Sequence, residues 1–206
     1  MDVIRDLPVP EDDAAPIASD STLMRRVRDG ELDQLAELFE RHHRRLYQFF
    51  VRLIGDRGAA EDLVQEVFVR LIKYRHTWRS DAEFAPWLFA LARNTGVDHF
   101  RARRRDGRRE TALLPEPVEP GPHVVDRMEE RERASLLRRA LERLAPEKRE
   151  VLLLARFGEL RHDRIAAMIG ISPGAVRVRL HRALKELRRV YGQMAEERAG
   201  RTRHEV

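Results

Sequence analysis

From residue 21 onward, apolar side chains recur every three or four positions, and with one interruption they keep doing so almost to the end of the chain. That spacing places them on one stripe of an α-helix. Leu23, Met24 and Val27 form a short helical stripe that Gly30 closes, with Ser21 and Thr22 as N-cap candidates. A longer pattern over 31–54 carries Leu32, Leu35, Leu38, Phe39, Leu46, Phe49, Phe50, Leu53 and Ile54, and Gly55 stops it. The pattern repeats over 59–74 with Leu63, Val67 and Leu71. A fourth helix is predicted over 86–105, with Pro86 suited to its first turn.

The period then breaks. Gly107, Pro115, Pro117, Pro120, Gly121 and Pro122 crowd a stretch without apolar repeat, which reads as a linker over 106–126. Helical pattern returns over about 125–144 and 146–157, followed by a short helix, a turn and a last helix to about residue 194. No strand alternation or Asn-Gly hairpin signal occurs. The expected fold is all-α: two small helical domains joined by a flexible linker, the second a helix-turn-helix domain. The expected boundaries are an acidic tail over 1–20, a first domain over 21–105, the linker, a second domain over 127–194 and a C-terminal tail over 195–206. A length of 206 residues accommodates this and excludes a (β/α)₈ barrel.

Charge changes the picture when read by segment. The net charge is +5, and 37 of the 40 basic residues are Arg, only Lys73, Lys148 and Lys185 being lysines. Codon bias in a GC-rich genome inflates Arg, so position has to decide. Residues 1–20 hold Arg5 against six acids, whereas 101–109 holds six Arg and one Asp, and 172–191 holds five Arg and one Lys against one Glu. Two separated basic segments point to two contacts with a polyanion.

The second basic segment carries a motif. In RHDRIAAMIGISPGAVRVRLHRAL, residues 161–184, Ala166 is small where two helices approach, Gly170 follows at a turn, and Val176 faces back into the core. This is helix-turn-helix spacing, in which the second helix enters the DNA major groove. Ser172 and Pro173 form a good helix start. On a helical wheel Val176, Leu180, Ala183, Leu184 and Leu187 gather on one side, and Arg177, Val178, His181, Arg182, Lys185 and Arg189 on the other. A merely solvated face mixes signs; this one carries a single acid, Glu186, at its border. Arg177, beside Gly174, is placed for a base edge, and Arg182, Lys185 and Arg189 for phosphates.

The helix over 86–105 is less simple. Trp87, Leu88, Leu91, Ala92 and Thr95 share one face, while Phe89, Val97 and Phe100 fall near the opposite one with Arg93 and Arg104. Aromatics interleaved with Arg suit single-stranded or unwound nucleic acid. The other reading is that Phe89 and Phe100 are core residues beneath a neighbouring helix. Over 56–68, Asp62, Gln65 and Glu66 share a helix with exposed-looking Val64 and Phe68, a face able to dock a basic partner helix or simply to be solvated.

Taken in order, DRGAAEDLVQEVFVRLIKY, WLFALARNTGVDHFRARRR, the proline linker, LERLAPEKREVLLLARFGEL and IAAMIGISPGAVRVRLHRALKELR resemble the extracytoplasmic-function (ECF) sigma factors of the sigma-70 family. The resemblance spans about 23–187. It implies a subunit that binds core RNA polymerase, directs it to promoter DNA and promotes melting, in a stress or envelope-signal response. It assigns polymerase binding to Asp62, Leu63, Gln65, Glu66 and Phe68. It assigns the minus-ten element to Trp87, Arg93, Asn94, Asp98, Arg101, Arg104 and Arg105, and the minus-thirty-five element to Ser172, Gly174, Arg177, Val178, His181, Arg182 and Lys185. An anti-sigma factor is implied as a further partner. Ala175 and Val178 stand where the family often has Thr and Ser, and Asp163-Arg164 where a Glu is common, so the promoter sequence does not transfer.

What the sequence lacks narrows the function. Without cysteine there is no disulfide framework, thiolate nucleophile or Cys-based zinc site, and the eight His residues are scattered. No phosphate loop or catalytic constellation is visible. Neither an enzyme nor a cofactor, metal or small-molecule substrate is expected. No leader or membrane span is seen, and a cytoplasmic location is expected. The alternative function is a stand-alone helix-turn-helix transcriptional activator.

Overall fold

The computed structural model describes residues 18–105 and 124–204. The acidic tail up to residue 17 and all but the last three residues of the predicted linker lie outside the described residues. Among the described residues all regular structure is helical. Four helices form the first unit: α1 (Asp20–Asp29), α2 (Gln34–Ile54), α3 (Arg57–Tyr74) and α4 (Phe84–Arg105), with a 3₁₀ turn at Arg75–Thr77. The second unit comprises α5 (Val124–Glu142), α6 (Pro146–Phe157), α7 (His162–Ile169) and α8 (Pro173–His204).

The helix ends follow local chemistry. Ser19, not Ser21 or Thr22, caps α1: its Oγ accepts from the Thr22 N–H at 3.2 Å. The Asp56 carboxylate likewise accepts from the Ala59 N–H at 3.0 Å and starts α3 two residues before the expected position. Gly30 and Gly55 close α1 and α2 with φ of 111° and 84°, a left-handed conformation costly for any residue with a Cβ. The last helix runs ten residues beyond 194, because Met194 is buried against Leu136 and Ala140 of α5 and Arg198 pairs with Glu132. The C-terminal tail is therefore helical through His204.

The first unit closes around the aromatic side chains of α2. Phe49 and Phe50 are buried, and Phe49 meets the buried Phe89 of α4 edge to face at 5.7 Å. Phe89 is thus a core residue, whereas Phe100 is half-buried and lies outside the core, so the core reading holds for Phe89 alone. The α4 helix buries more than one face because it lies between α2 and α3 while also contacting α7. Gly96 makes that fit possible: a Cβ there would come within 3.0 Å of Leu53 Cδ2 and 3.7 Å of Phe50.

The second unit packs on the first through α2 and α6. Leu53 and Ile54 of α2, Val151 and Leu154 of α6, and Ile165 of α7 belong to one continuous apolar core. Around it Arg45 Nε donates to the Phe157 carbonyl at 2.9 Å, the Arg52 guanidinium lies 4.8 Å from the Phe157 ring centre, and Arg164 pairs with Glu83 at 2.9 Å. The two expected units are present, and they are joined by this packed interface as well as by the chain.

Asp20, counted with the acidic tail, is an anchor. It accepts from Arg41 at 2.9 Å and from His42 Nε2 at 2.7 Å. His42 is buried and its Nδ1 has no hydrogen-bond partner, so protonation would bury a donor without an acceptor. Burial pushes the His42 pKa below its ordinary 6.5, against the opposing pull of Asp20. His99 is lowered by burial and by Arg103.

As pH falls through 6.5, the unfolded chain takes up protons that the folded His42 and His99 refuse, so stability drops. Thermal midpoints measured from pH 8 to 5 should decline below about 6.5, and the decline should flatten in the His42→Gln/His99→Gln variant. Separately, Gly96→Leu should destabilise the protein by roughly 1–3 kcal/mol through overpacking, measured by urea unfolding.

Candidate nucleic-acid interface

The helix-turn-helix is built by α7 and α8. Ala166 and Val176 are buried where the two helices meet, and Gly170, at φ 73°, turns the chain while its N–H donates to the Ala166 carbonyl at 2.9 Å. Ser172 Oγ accepts from the Ala175 N–H at 3.1 Å and fixes the start of α8. With Val176 and Ala183 buried, the opposite side of α8 is open: Ser172, Gly174, Arg177, Val178, His181, Arg182 and Lys185 are all exposed. Arg177, Arg182 and Lys185 make no ion pair among the described residues. Glu186, the one acid of this stretch, is tied to Lys148 of α6. Leu184, expected on the apolar side, is exposed instead.

On α4 the expected residues divide into open and engaged. Asn94, Arg101, Arg104 and Arg105 are exposed, and Trp87 is half-buried against Phe84, 6.3 Å between ring centres. Arg93 is turned into the interface between the units, where its Nε donates to Glu150 of α6 at 2.8 Å. Asp98 is held by Arg70 of α3 at 2.7 Å and lies 3.7 Å from Arg101. Arg70 also grips Glu66 at 2.7 Å, so one guanidinium links the acidic side of α3 to the centre of α4.

The α3 surface corrects an expectation. Val64 and Phe68 are buried, not exposed, and so is Leu63. Phe68 packs on Phe39, 4.9 Å between ring centres, forming the floor of a groove walled by Leu32 and Leu35. The apolar side chains that do reach solvent there are Val69, 58% exposed, and Leu32, 47% exposed. Val69 shares the open face with Asp62, Gln65 and Glu66 at helical spacing. Its place one turn beyond Gln65 was visible in the sequence, but only the packing of Phe68 inward shows which apolar residue faces out. No group of three or more potential metal ligands exists among the described residues, and none of their helices is long and apolar enough to cross a membrane.

Two helical units, each presenting an exposed cationic helix face, define a two-module DNA-binding protein. Comparison with known proteins makes this specific. The model for sigma-70 region 2 matches residues 38–106, and that for sigma-70 region 4 matches residues 134–187. The sigma factor CarQ of Myxococcus xanthus is 35% identical over 181 residues, covering 83% of this chain and 97% of the relative. The ECF sigma factor SigF of Caulobacter vibrioides is 35% identical over 166 residues, covering 80% of this chain and 89% of the relative. Among solved structures, CnrH in complex with the cytosolic domain of CnrY is similar with a TM-score of 0.64 and 25% identity, covering 84% and 97% of the two chains. RpoE of Bartonella quintana, solved with the anti-sigma factor NepR, shares the fold, with a TM-score of 0.59, 22% identity, and coverage of 80% and 96%. The chain belongs to the ECF sigma factors of the sigma-70 family.

The Arg93–Glu150 pair and the Phe157 contacts hold the two units together. Glu150→Arg combined with Phe157→Ala replaces an attraction with a repulsion and removes the ring that Arg52 covers. The double variant should show a larger radius of gyration by small-angle scattering, with its helicity by circular dichroism unchanged.

Proposed function

We propose that this sigma factor divides its work among three surfaces: α3 docks on core RNA polymerase, α4 reads the minus-ten element, and α8 reads the minus-thirty-five element. The observation that carries the reading is the pair of exposed cationic faces, one on each unit, in a chain matched by both sigma-70 region models. On α3, Asp62, Gln65 and Glu66 offer acceptors around Val69, a face suited to a basic helical partner, while Leu63 and Phe68 support it from beneath. On α4, Asn94 would meet bases, as would Asp98 on the side that its pairing with Arg70 leaves open, with Arg101, Arg104 and Arg105 on phosphates and Trp87 in a stacking contact. Arg93 reaches DNA once its bond to Glu150 is released. On α8, Arg177 is placed for a base edge and Arg182 and Lys185 for phosphates.

Promoter opening under this reading draws on binding energy alone. Contacts to unpaired bases and phosphates offset an unstacking cost of a few kcal/mol per base step. The protein acts in the cytoplasm, without a cofactor and without catalysing a reaction. An anti-sigma factor that covers these faces is a further partner; CnrH, a similar chain, is found with the cytosolic domain of CnrY bound.

The stand-alone activator differs on one point: it has no use for the α3 face. Asp62→Arg changes an exposed side chain and should abolish co-purification with core polymerase while leaving duplex DNA binding intact. Run-off transcription with core polymerase should give promoter-dependent transcripts from fragments of the native genome. Absence of any such transcript, with duplex binding retained, would favour the activator.

A further inference from the structure

The open face of α8 is not uniformly cationic. Gly174, Ala175, Val178, His181, Arg182 and Lys185 follow one another at spacings that keep them on one side of the helix, and all six are exposed. Val178 sits at the centre of this face and is 48% exposed, whereas Val176, two residues earlier, is fully buried. The core contact that a valine here would ordinarily make is already made by its neighbour. Gly174 and Ala175 leave the first turn almost bare; a Cβ on Gly174 would find only Ser172 Oγ, at 3.9 Å. Val178 is therefore the first bulky side chain that an approaching surface meets. With Ala145 and Ala175 it lines a shallow apolar notch bordered by Lys148, Arg179, Arg182 and one acid, Glu147.

The cations of this helix face determine what fits. Arg177, Arg182 and Lys185 are exposed on it without ion-pair partners among the described residues, an arrangement complementary to a phosphate backbone. Inside a major groove, the polar edges of guanine, adenine and cytosine need hydrogen-bond partners, and a valine supplies none. The methyl group displayed there is the 5-methyl of thymine, which gains from apolar contact.

We propose that Val178 is a specificity-determining residue that reads the 5-methyl group of a thymine in the upstream promoter element. The proposal rests on the assignment of α8 to that element. A hydroxyl at this position would hydrogen-bond to a base edge or phosphate; the valine replaces that bond with a methyl-to-methyl contact. Its preference is for thymine over uracil as well as over the other three DNA bases.

Deoxyuridine tests this directly, because it lacks only the 5-methyl group and keeps the pairing edge of thymine. The probe is a promoter transcribed by the holoenzyme of the full chain with core polymerase, with each thymine of the upstream element, on both strands, replaced singly by deoxyuridine. Competition binding is measured at one fixed salt concentration. At one thymine the replacement should weaken wild-type binding about three- to fivefold, the size expected for one buried methyl. Val178→Ala should show no difference between the two bases at that position. Arg182→Ala should weaken both probes alike and keep the wild-type ratio. Val178 and Arg182 are both exposed, so unchanged thermal midpoints should confirm that these variants fold. The proposal is overturned if no thymine distinguishes wild type from Val178→Ala, or if the element has no thymine on either strand. A holoenzyme that transcribes promoters but ignores every such replacement defeats the Val178 proposal alone. A chain that supports no transcription defeats the promoter assignment and this proposal together.

Discussion

Everything in this molecule leans on α2. Its 21 residues carry enough apolar side chains to pack on both units, with Leu46, Phe49, Phe50, Leu53 and Ile54 in the core that the two units share and its helix seated against α6. A helix that is apolar over more than half its circumference has to be enclosed by several partners. Four helices, α1, α3, α4 and α6, supply them. The position of α4, and with it the direction in which Asn94 and Arg101 point, follows from the fit of Gly96 against Leu53 and Phe50. The approach of the second unit follows from what remains uncovered at the other end of α2. One helix thus sets both the shape of the first unit and the seat of the second.

The arginines are used in two ways, and the division is spatial. Arg41, Arg45, Arg70 and Arg93 are engaged in partly buried contacts, binding Asp20, the Phe157 carbonyl, Glu66 with Asp98, and Glu150 respectively, while Arg164 pairs with Glu83 at the surface. Guanidinium suits this work, since one group can hold two acceptors at fixed angles. Arg104, Arg105, Arg177, Arg182 and Lys185 are left in solvent on two helix faces. A net charge of +5 does not distinguish these groups. The outward set leaves two cationic helix faces open to solvent, and the paired set ties together the helices that present them.

Much of this was legible along the chain, and the misses have physical causes. The helix-turn-helix was readable because Ala166, Gly170 and Val176 each answer a local demand: close approach, a left-handed turn and a buried contact. The glycine stops of α1 and α2 were readable for the same reason. Phe89 was ambiguous because a helix packed on several sides has no single apolar stripe. Phe68 was misassigned because adjacent apolar residues on a helix differ by only about 100° in direction, and whether Phe68 or Val69 is covered depends on where Phe39 arrives from another helix. Asp20 looked like one more acid of a polar tail, since its partners Arg41 and His42 lie some twenty residues away in sequence.

The sequence by itself determined that the chain is helical, the glycine stops of α1 and α2, the two-unit order and the two basic segments, because these depend on periodicity, local turn geometry and local charge. Its motifs also carry the family resemblance. Only the tertiary structure decided which cations remain free, which apolar side chains of α3 and α8 face solvent, and that the two units share a core. Those outcomes turn on contacts between residues far apart in the chain. Glu150 takes Arg93 out of the open α4 face, and burial of Val176 leaves Val178 to face outward.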